Sequence, residues 1–569
     1  MKKMPDYKNR VNEDLFSGDK TFRFLMSAIF DTTKQETINR SLLRFEKNIP
    51  YWNALADSAA KPNHHPYIEK YDAVGNSIER VILPLETRLL RHRVVEAGIF
   101  QNDSMAEQFC KVYLLSQIGE ASLVTPLANT NSLNRLLVDK ASLELRNKFL
   151  DKMHSSEYPL PVSHCFIEQM AATDVGAIQA VAQEDPDGDY LIHAEKWDCT
   201  SPNETYLVSA RIAGADEGEA GVSLFLVPHQ VPDADKNGKD YKVNNVNIKR
   251  LKQRVGAKSL PNAEIDFNGS KAYLIGYGSE GFSNLRDYIT NSIRLHSIAS
   301  ALGYHRRAFV EARNYSLQRM VKGQQIINYP MVAESLVKLL SSLAGKQIVF
   351  CQLLNHVDEH GWMPENKNEM GWRNFIINML KFRSTYKLTE NVKDAMIVFG
   401  NNGTSKDFSI LSRLLQDSLV QESWMGTHHT ICYQIMKDIH EFDFMARLNQ
   451  EIENLIQDWP NDVLVDSKKF FIHHFEIGSK LFTPKNLYDP YWAQSHAIRF
   501  VNHFSMLMEL GNLVRAGVKS QNANLLILAS YLSHDNLSDR FSGYFSPCLE
   551  HLTDFCQDLI RELPIDVEI

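Results

Sequence analysis

The stretch Cys165-Phe166-Ile167-Glu168-Gln169-Met170-Ala171-Ala172-Thr173-Asp174-Val175-Gly176 decides the fold, together with Tyr190-Leu191-Ile192-His193-Ala194-Glu195-Lys196-Trp197-Asp198-Cys199-Thr200-Ser201-Pro202, which follows a polar turn. Two β-type runs flank the small residues Ala171, Ala172 and Thr173, where backbone can approach a neighbour closely. Thr205–Ala210, Val222–Val227 and Glu264–Phe267 add further short runs of β-branched and aromatic residues. Asp185-Pro186-Asp187-Gly188-Asp189, Asp233–Gly238 and Asn268-Gly269 supply turn chemistry between them. Strands at this spacing predict a small barrel or sandwich of roughly a hundred residues.

Outside Cys165–Ile275 the chain reads as helix, so the expected class is α+β, mostly α. Residues 1–66 are a polar extension, expected to pack loosely, with a helix near Lys34–Lys47. Residues 67–160 form a helical lobe: Val81, Leu85, Leu89 and Leu90 follow three- and four-residue spacing, as do Phe109, Val112, Leu115 and Ile118. The β domain spans 161–276 and a helical bundle 282–449. In the bundle Val332, Leu336, Leu339, Leu343, Phe350 and Leu354 make one apolar stripe that begins after Pro330, a residue suited to a first helical turn. A helix from about Asn374 to Phe399 is expected to stop at Gly400-Asn401-Asn402-Gly403, and another covers Phe408–Leu419. Residues 450–569 form an additional helical region.

The chain has 569 residues and a formal net charge of −8, which gives no general attraction for nucleic acid or anionic lipid. Acidic residues outnumber basic ones by roughly two to one beyond residue 450, so a nucleic-acid partner is not expected. No apolar run approaches the roughly 18–20 residues of a membrane span, and the N-terminus lacks an apolar signal core. Seven scattered cysteines fit reduced thiols, which predicts a cytoplasmic protein.

The pairs His64-His65 and His473-His474 have no second ligand cluster, and His356-x-x-x-His360 has no visible third ligand, so no metal is expected. Gly276-Tyr277-Gly278-Ser279-Glu280-Gly281 fits G-x-G-x-x-G but follows an antiparallel-looking β region. It is read as a tight connection into a helix rather than a dinucleotide fingerprint.

The order of helical lobe, β region and helical bundle resembles the acyl-CoA dehydrogenase superfamily, and six motifs are co-linear with it. Ile167–Val175 resembles Thr-Glu-Pro-x-x-Gly-Ser-Asp, with Glu168 and Asp174 matched. Ala194–Thr200 stands at Gly-x-Lys-x-Trp-Ile-Thr, and Val255–Gly281 resembles the later β segments. Gln318–Gly323 stands at Arg-x-x-Phe-Gly, Gly400–Gly403 at Gly-Gly-x-Gly, and Trp424–Thr427 at Tyr/Trp-Glu-Gly-Thr. Tyr71–Gly75 and the extra C-terminal helices resemble the AidB-like branch, which includes a protein implicated in DNA binding.

The resemblance implies FAD held non-covalently and oxidation of an acyl thioester between Cα and Cβ, with acyl-CoA or a related thioester as the bound partner. It implies cofactor contacts from Glu168, Thr200, Arg319, Gly400, Gly403, Gly426 and Thr427, and substrate contacts from Thr173 and Arg294. In family terms Arg319 would meet the pyrophosphate of a neighbouring subunit's cofactor. A homo-oligomer, dimer or tetramer, is therefore expected, with a hetero-oligomer as the alternative. The family's two base positions carry Met425 and Ile293, neither able to take a proton, which leaves Glu422 and His428 as displaced candidates. Ile167, Asp198, Lys322 and Ile397 replace residues that contact flavin elsewhere in the family, which predicts weakened or lost FAD binding. Three readings follow: a dehydrogenase with a displaced base, a flavin oxidase or monooxygenase, or a non-catalytic partner subunit.

Overall fold

The computed structural model describes residues 15–153, 155–157, 159–202, 204–233, 240–537 and 556–564. Residues 234–238 of the turn expected at Asp233–Gly238 lie outside them. Backbone contacts divide the chain into two units: Tyr51–Asn102 with Glu120–His296, and Met1–Pro50 with Asp103–Gly119 and Ser297–Ile569. The architecture is mostly helical, with a β region in the middle of the chain, as the sequence predicts.

The first unit is built on a small barrel. Strands β3 (Val162–Cys165), β4 (Val181–Glu184), β5 (Tyr190–Thr200), β6 (Thr205–Ile212), β7 (Val222–Pro228), β10 (Val246–Leu251) and β11 (Asn262–Leu274) form one sheet. The hairpins β1 (Tyr67–Tyr71) with β2 (Ser77–Ile82) and β8 (Gln230–Pro232) with β9 (Tyr241–Val243) stand beside it in the chain. The long β11 pairs with β5 at one end, from Asn262↔Thr200 to Ala272↔Tyr190, and with β7 at the other, Leu274↔Phe225. The ring β11–β7–β6–β3–β5–β11 therefore closes, which removes open edges from those five strands. Its interior is filled by Cys165, Cys199, Tyr206, Phe225, Ile265 and Phe267, all buried.

The β1–β2 hairpin corrects the expectation of helix from residue 67. Asp72 Oδ1 accepts the backbone N–H groups of Val74 (3.0 Å) and Asn76 (2.8 Å), and Gly75 takes φ +91°, so the chain reverses there. Val81 shares its spacing with Leu85, Leu89 and Leu90 by coincidence across Pro84. It is a strand residue, and the helix begins at Leu85.

In the helical unit three segments differ from expectation. Residues 15–50 are well packed: helices α1 (Lys20–Ile29) and α2 (Thr32–Glu46) bury Phe22, Leu25, Met26, Ile38 and Leu42 at 1% exposure or less. Their charges occupy one face, which makes the sequence look polar overall while the other face is apolar.

The helix expected over Asn374–Phe399 is two, Lys367–Thr385 and Leu388–Val398, parted by Lys387 at φ +64°. The break is stabilised because Glu422 accepts both the N–H and the hydroxyl of Thr389 in the second helix's first turn. The helix expected over Phe408–Leu419 runs Leu411–Ser423.

Pro330–His360 starts on its proline as expected. It is long and apolar enough by composition to cross a membrane, yet 83% of its apolar window is buried within the protein. The segment 556–564 is anchored by Glu562, whose Oε2 accepts Arg306 Nη2 and Arg313 Nη1, each at 2.8 Å.

Candidate active site

In the barrel unit, the candidate residues begin on the loop that follows β3. Glu168 there is 6% exposed. Its Oε1 accepts Lys196 Nζ at 2.7 Å and the Ala180 N–H at 3.2 Å, and its Oε2 accepts the Gln179 N–H at 2.6 Å. Lys196, from the middle of β5, is fully buried, and desolvation lowers its pKa against the pull of Glu168. Both oxygens of Glu168, expected at the cofactor, are thus engaged by the chain itself. They stitch the two ends of the loop together and tie it to the barrel. Asp174 accepts the Gly176 N–H (3.1 Å) and shapes the same loop, on which Thr173 is exposed.

Strand β5 bulges at Trp197-Asp198, where the resemblance expects an aromatic residue. Cys199 faces Ala263 and Lys196 faces Ile265, so Trp197 and Asp198 together oppose Glu264. The Trp197 ring carries Lys252 Nζ 3.9 Å from its centroid, and Glu264 is paired with Arg250 at 2.6 Å. At the end of the strand Thr200 Oγ1 accepts Asn129 Nδ2 at 3.2 Å. Ile293 and Arg294 are buried in the first turn of the helix Asn291–Gln318, just after a π-helical turn over Leu285–Thr290. Such turns recur at functional sites.

Within the helical unit, two candidate turns are joined. Arg319, exposed, follows the helix Asn291–Gln318 and opens the hairpin Met320-Val321/Gln324-Gln325. Lys322 and Gly323 both take positive φ, +46° and +87°, the geometry of a two-residue hairpin turn. One helical turn before Arg319, Tyr315 stacks on Phe399 (4.2 Å, 17°), and its hydroxyl accepts Asn402 Nδ2 at 3.2 Å. The Gly400–Thr404 turn is thereby packed against the helix end that carries Arg319. Gly403 is required there, since a Cβ would lie 2.3 Å from the Met396 carbonyl oxygen, whereas Gly400 (φ +59°) faces open space.

The remaining predicted residues follow the helix Leu411–Ser423. Met425 sits at φ +57° and Gly426 at +109°, and the Thr427 hydroxyl accepts the Thr430 N–H (3.3 Å) to cap the helix His428–Phe442. Glu422 is spent on Thr389, as described above. His428 is half-buried between the edges of Phe382 and Tyr386, with Nε2 3.4 Å from the Thr385 hydroxyl. Burial, then the Lys381 and His429 charges, lowers its pKa to about 4 and leaves it a neutral imidazole at pH 7.

Beneath the turn lies a buried polar chain that sequence reading missed. Lys381 Nζ donates to the Gln421 carbonyl (3.2 Å), and the Gln421 side chain bonds Ser297 (3.1 Å) and Ser300 (3.3 Å). No local pattern marks it, because its members come from three helices.

Residues 280–440 match the family model described as acyl-CoA dehydrogenase, C-terminal domain. That span holds the Arg319 hairpin, the Gly400–Thr404 turn and the Met425 turn. Acyl-CoA dehydrogenase family member 11 of Caenorhabditis elegans is 26% identical over 393 residues, 65% of this chain and 62% of the relative. The putative acyl-CoA dehydrogenase AidB of Escherichia coli is 26% identical over 413 residues, 68% of this chain and 72% of the relative.

Residues 280–440 thus carry the acyl-CoA dehydrogenase C-terminal domain, and these likenesses extend the resemblance to the superfamily over most of the chain. Its likeness within that superfamily includes the AidB-like branch. The chain's match spans less than two thirds of the nematode relative's length. The crystal structure of C. elegans ACDH-11 in complex with C11-CoA superposes with a TM-score of 0.82 at 21% identity, covering 93% of this chain and 92% of that one. An acyl-CoA dehydrogenase from Bacillus anthracis complexed with FAD gives a TM-score of 0.70 at 13% identity, covering 96% and 99%. The acyl-CoA dehydrogenase fold thus runs through nearly the whole chain.

Proposed function

We propose that this chain is an acyl-CoA dehydrogenase-like flavoprotein that binds FAD and an acyl-CoA thioester and oxidises the acyl chain between Cα and Cβ. The observation that carries the reading is the packing of the Gly400–Thr404 turn on Tyr315, beside Arg319. An exposed guanidinium one helical turn beyond the tyrosine that packs on an open, positive-φ glycine turn suits the phosphates of a dinucleotide. Arg319, Gly400 and Gly403 would hold that end of a neighbouring subunit's FAD, and Thr200, Gly426 and Thr427 are separate proposed contacts to the cofactor. The bound flavin supplies the hydride acceptor. A thioester bound in the C. elegans structure and FAD in the B. anthracis structure support the ligand classes.

The chain's own task is to place the thioester and remove its α-proton. Thr173 and Arg294 are the proposed substrate contacts. Met425 cannot accept a proton, and Glu422 already serves Thr389. His428 is the stronger base candidate of the two, because it is a neutral imidazole whose Nε2 meets the Thr385 hydroxyl only weakly, at 3.4 Å, whereas Glu422 is bound twice. A second reading, a subunit that binds both ligands without turnover, is favoured by Met425 and Ile293 at the two family base positions. Oligomeric assembly and a cytoplasmic location remain part of the proposal.

The visible spectrum and anaerobic acyl-CoA titration test both readings. Yellow protein bleached by an acyl-CoA, with bleaching lost in His428→Asn and retained in Glu422→Gln, supports the first. Yellow protein that an acyl-CoA perturbs without bleaching supports the second. Protein that stays colourless with added FAD rejects both.

A further inference from the structure

His356 and His360 stand one turn apart at the end of the helix Pro330–His360, with rings stacked at 4.3 Å and 28°. The helix stops at Gly361 (φ +77°), the chain crosses five residues, and Glu369 enters in the first turn of the helix Lys367–Thr385. This return brings a carboxylate to the histidine pair. One donor atom from each of the three lies within 4.8 Å of the other two. The third ligand absent from the sequence pattern is therefore supplied by the fold.

Three features distinguish this group from a chance surface cluster. First, His356 Nε2 and the Glu369 carboxylate are 3.8 Å apart, too far for a hydrogen bond, so the group is not explained as a bonded pair. Second, His360 Nδ1 lies 3.0 Å from the His356 carbonyl oxygen and must donate to it, which leaves the Nε2 lone pair outward.

Third, Glu369 is oriented by Arg447, whose two terminal nitrogens reach its two oxygens at 2.9 and 3.1 Å while the guanidinium lies 4.4 Å over Trp372. Each carboxylate oxygen keeps a further lone pair for another partner. His356, Glu359 and Arg447 also line a cavity of about 400 Å³, which offers room for a water or a small anion as a further ligand.

We infer that His356, His360 and Glu369 bind a divalent transition-metal ion of the zinc type. Two imidazoles and one carboxylate, with one position left open, suit such an ion. Ligand bonds of about 2.0–2.2 Å put tetrahedral neighbours roughly 3.3 Å apart, so the group closes by up to about 1.5 Å on binding. His360 is exposed and Glu369 half-exposed, so both have freedom to make that movement. The site lies wholly within the helical unit and does not depend on the flavoprotein reading.

The test uses the untagged full chain, dialysed against a chelator and titrated with Co²⁺. The expected result is one tightly bound equivalent with the strong visible absorption of low-coordinate cobalt, displaced by Zn²⁺. His360→Ala and Glu369→Gln should each weaken binding at least tenfold, and His360→Ala, which breaks no ion pair, should leave thermal unfolding of the metal-free protein unchanged. Absence of saturable one-equivalent binding overturns the proposal. So does unchanged affinity in both variants, which would place the ion at another histidine pair such as His64-His65 or His473-His474.

Discussion

The loop after β3 and the Met425 turn both carry family motifs, and they have fared in opposite ways. In the loop, the matched Glu168 is kept because the fold needs it. Its charge is buried against Lys196, and its oxygens hold the loop's two ends. In the turn, Met425 and Gly426 hold positive φ angles, while the position that the family resemblance expects to carry a base bears a thioether. An acid that matches a family motif can therefore serve structure, and a turn that matches one need not carry the motif's side-chain chemistry. Loss of Glu168 would leave Lys196 unpaired in the barrel, whereas the Met425 side chain is half-exposed and costs little to exchange.

The largest effect that would break this contrast is at Lys196. Lys196→Met leaves the Glu168 carboxylate buried without its partner and should cost about 3–5 kcal/mol in denaturant unfolding. A loss below about 1 kcal/mol would show that the loop is not held by the pair.

Acid should come next. His164 and His296 in the barrel unit and His305 in the helical unit are buried, and desolvation lowers all three pKa values, that of His164 to about 3. The unfolded chain therefore takes up these protons first. Their contribution is whole above about pH 6.5 and falls by about 1.4 kcal/mol per histidine per pH unit below it. Unfolding curves at pH 7 and pH 5 measure this, and equal stability at both would refute the buried-neutral assignment.

Gly403→Ala drives a methyl group into the Met396 carbonyl and should cost about 1–3 kcal/mol, with FAD affinity falling alongside. Unchanged FAD affinity in a folded variant would separate this turn from the cofactor.

The smallest effect on stability sharpens the contrast most. Met425→Glu places a carboxylate on an unaltered turn and should shift stability by less than about 0.5 kcal/mol. If the turn still faces a bound thioester, anaerobic flavin reduction should accelerate by roughly a hundredfold or more. No acceleration would mean that the turn has lost its substrate as well as its base.

The sequence by itself determined the class of the fold and the ends of many elements. Strand runs with turn chemistry between them, Pro330 at a helix start and the Gly400 stop are local signals, set by backbone sterics and nearest neighbours. The same local reading failed where two patterns coincide. Val81 kept helical spacing across Pro84, and the polar face of residues 15–50 masked an apolar one.

Only the tertiary structure decided which side chains meet. Glu168 finds Lys196 because β3 and β5 close one barrel, and Tyr315 links Arg319 to Gly400 because two helices pack. Glu369 reaches His356 and His360 because the chain turns back at Gly361. Such pairings depend on where elements dock in space, which hydrophobic burial sets across long sequence separations and no single window of residues encodes.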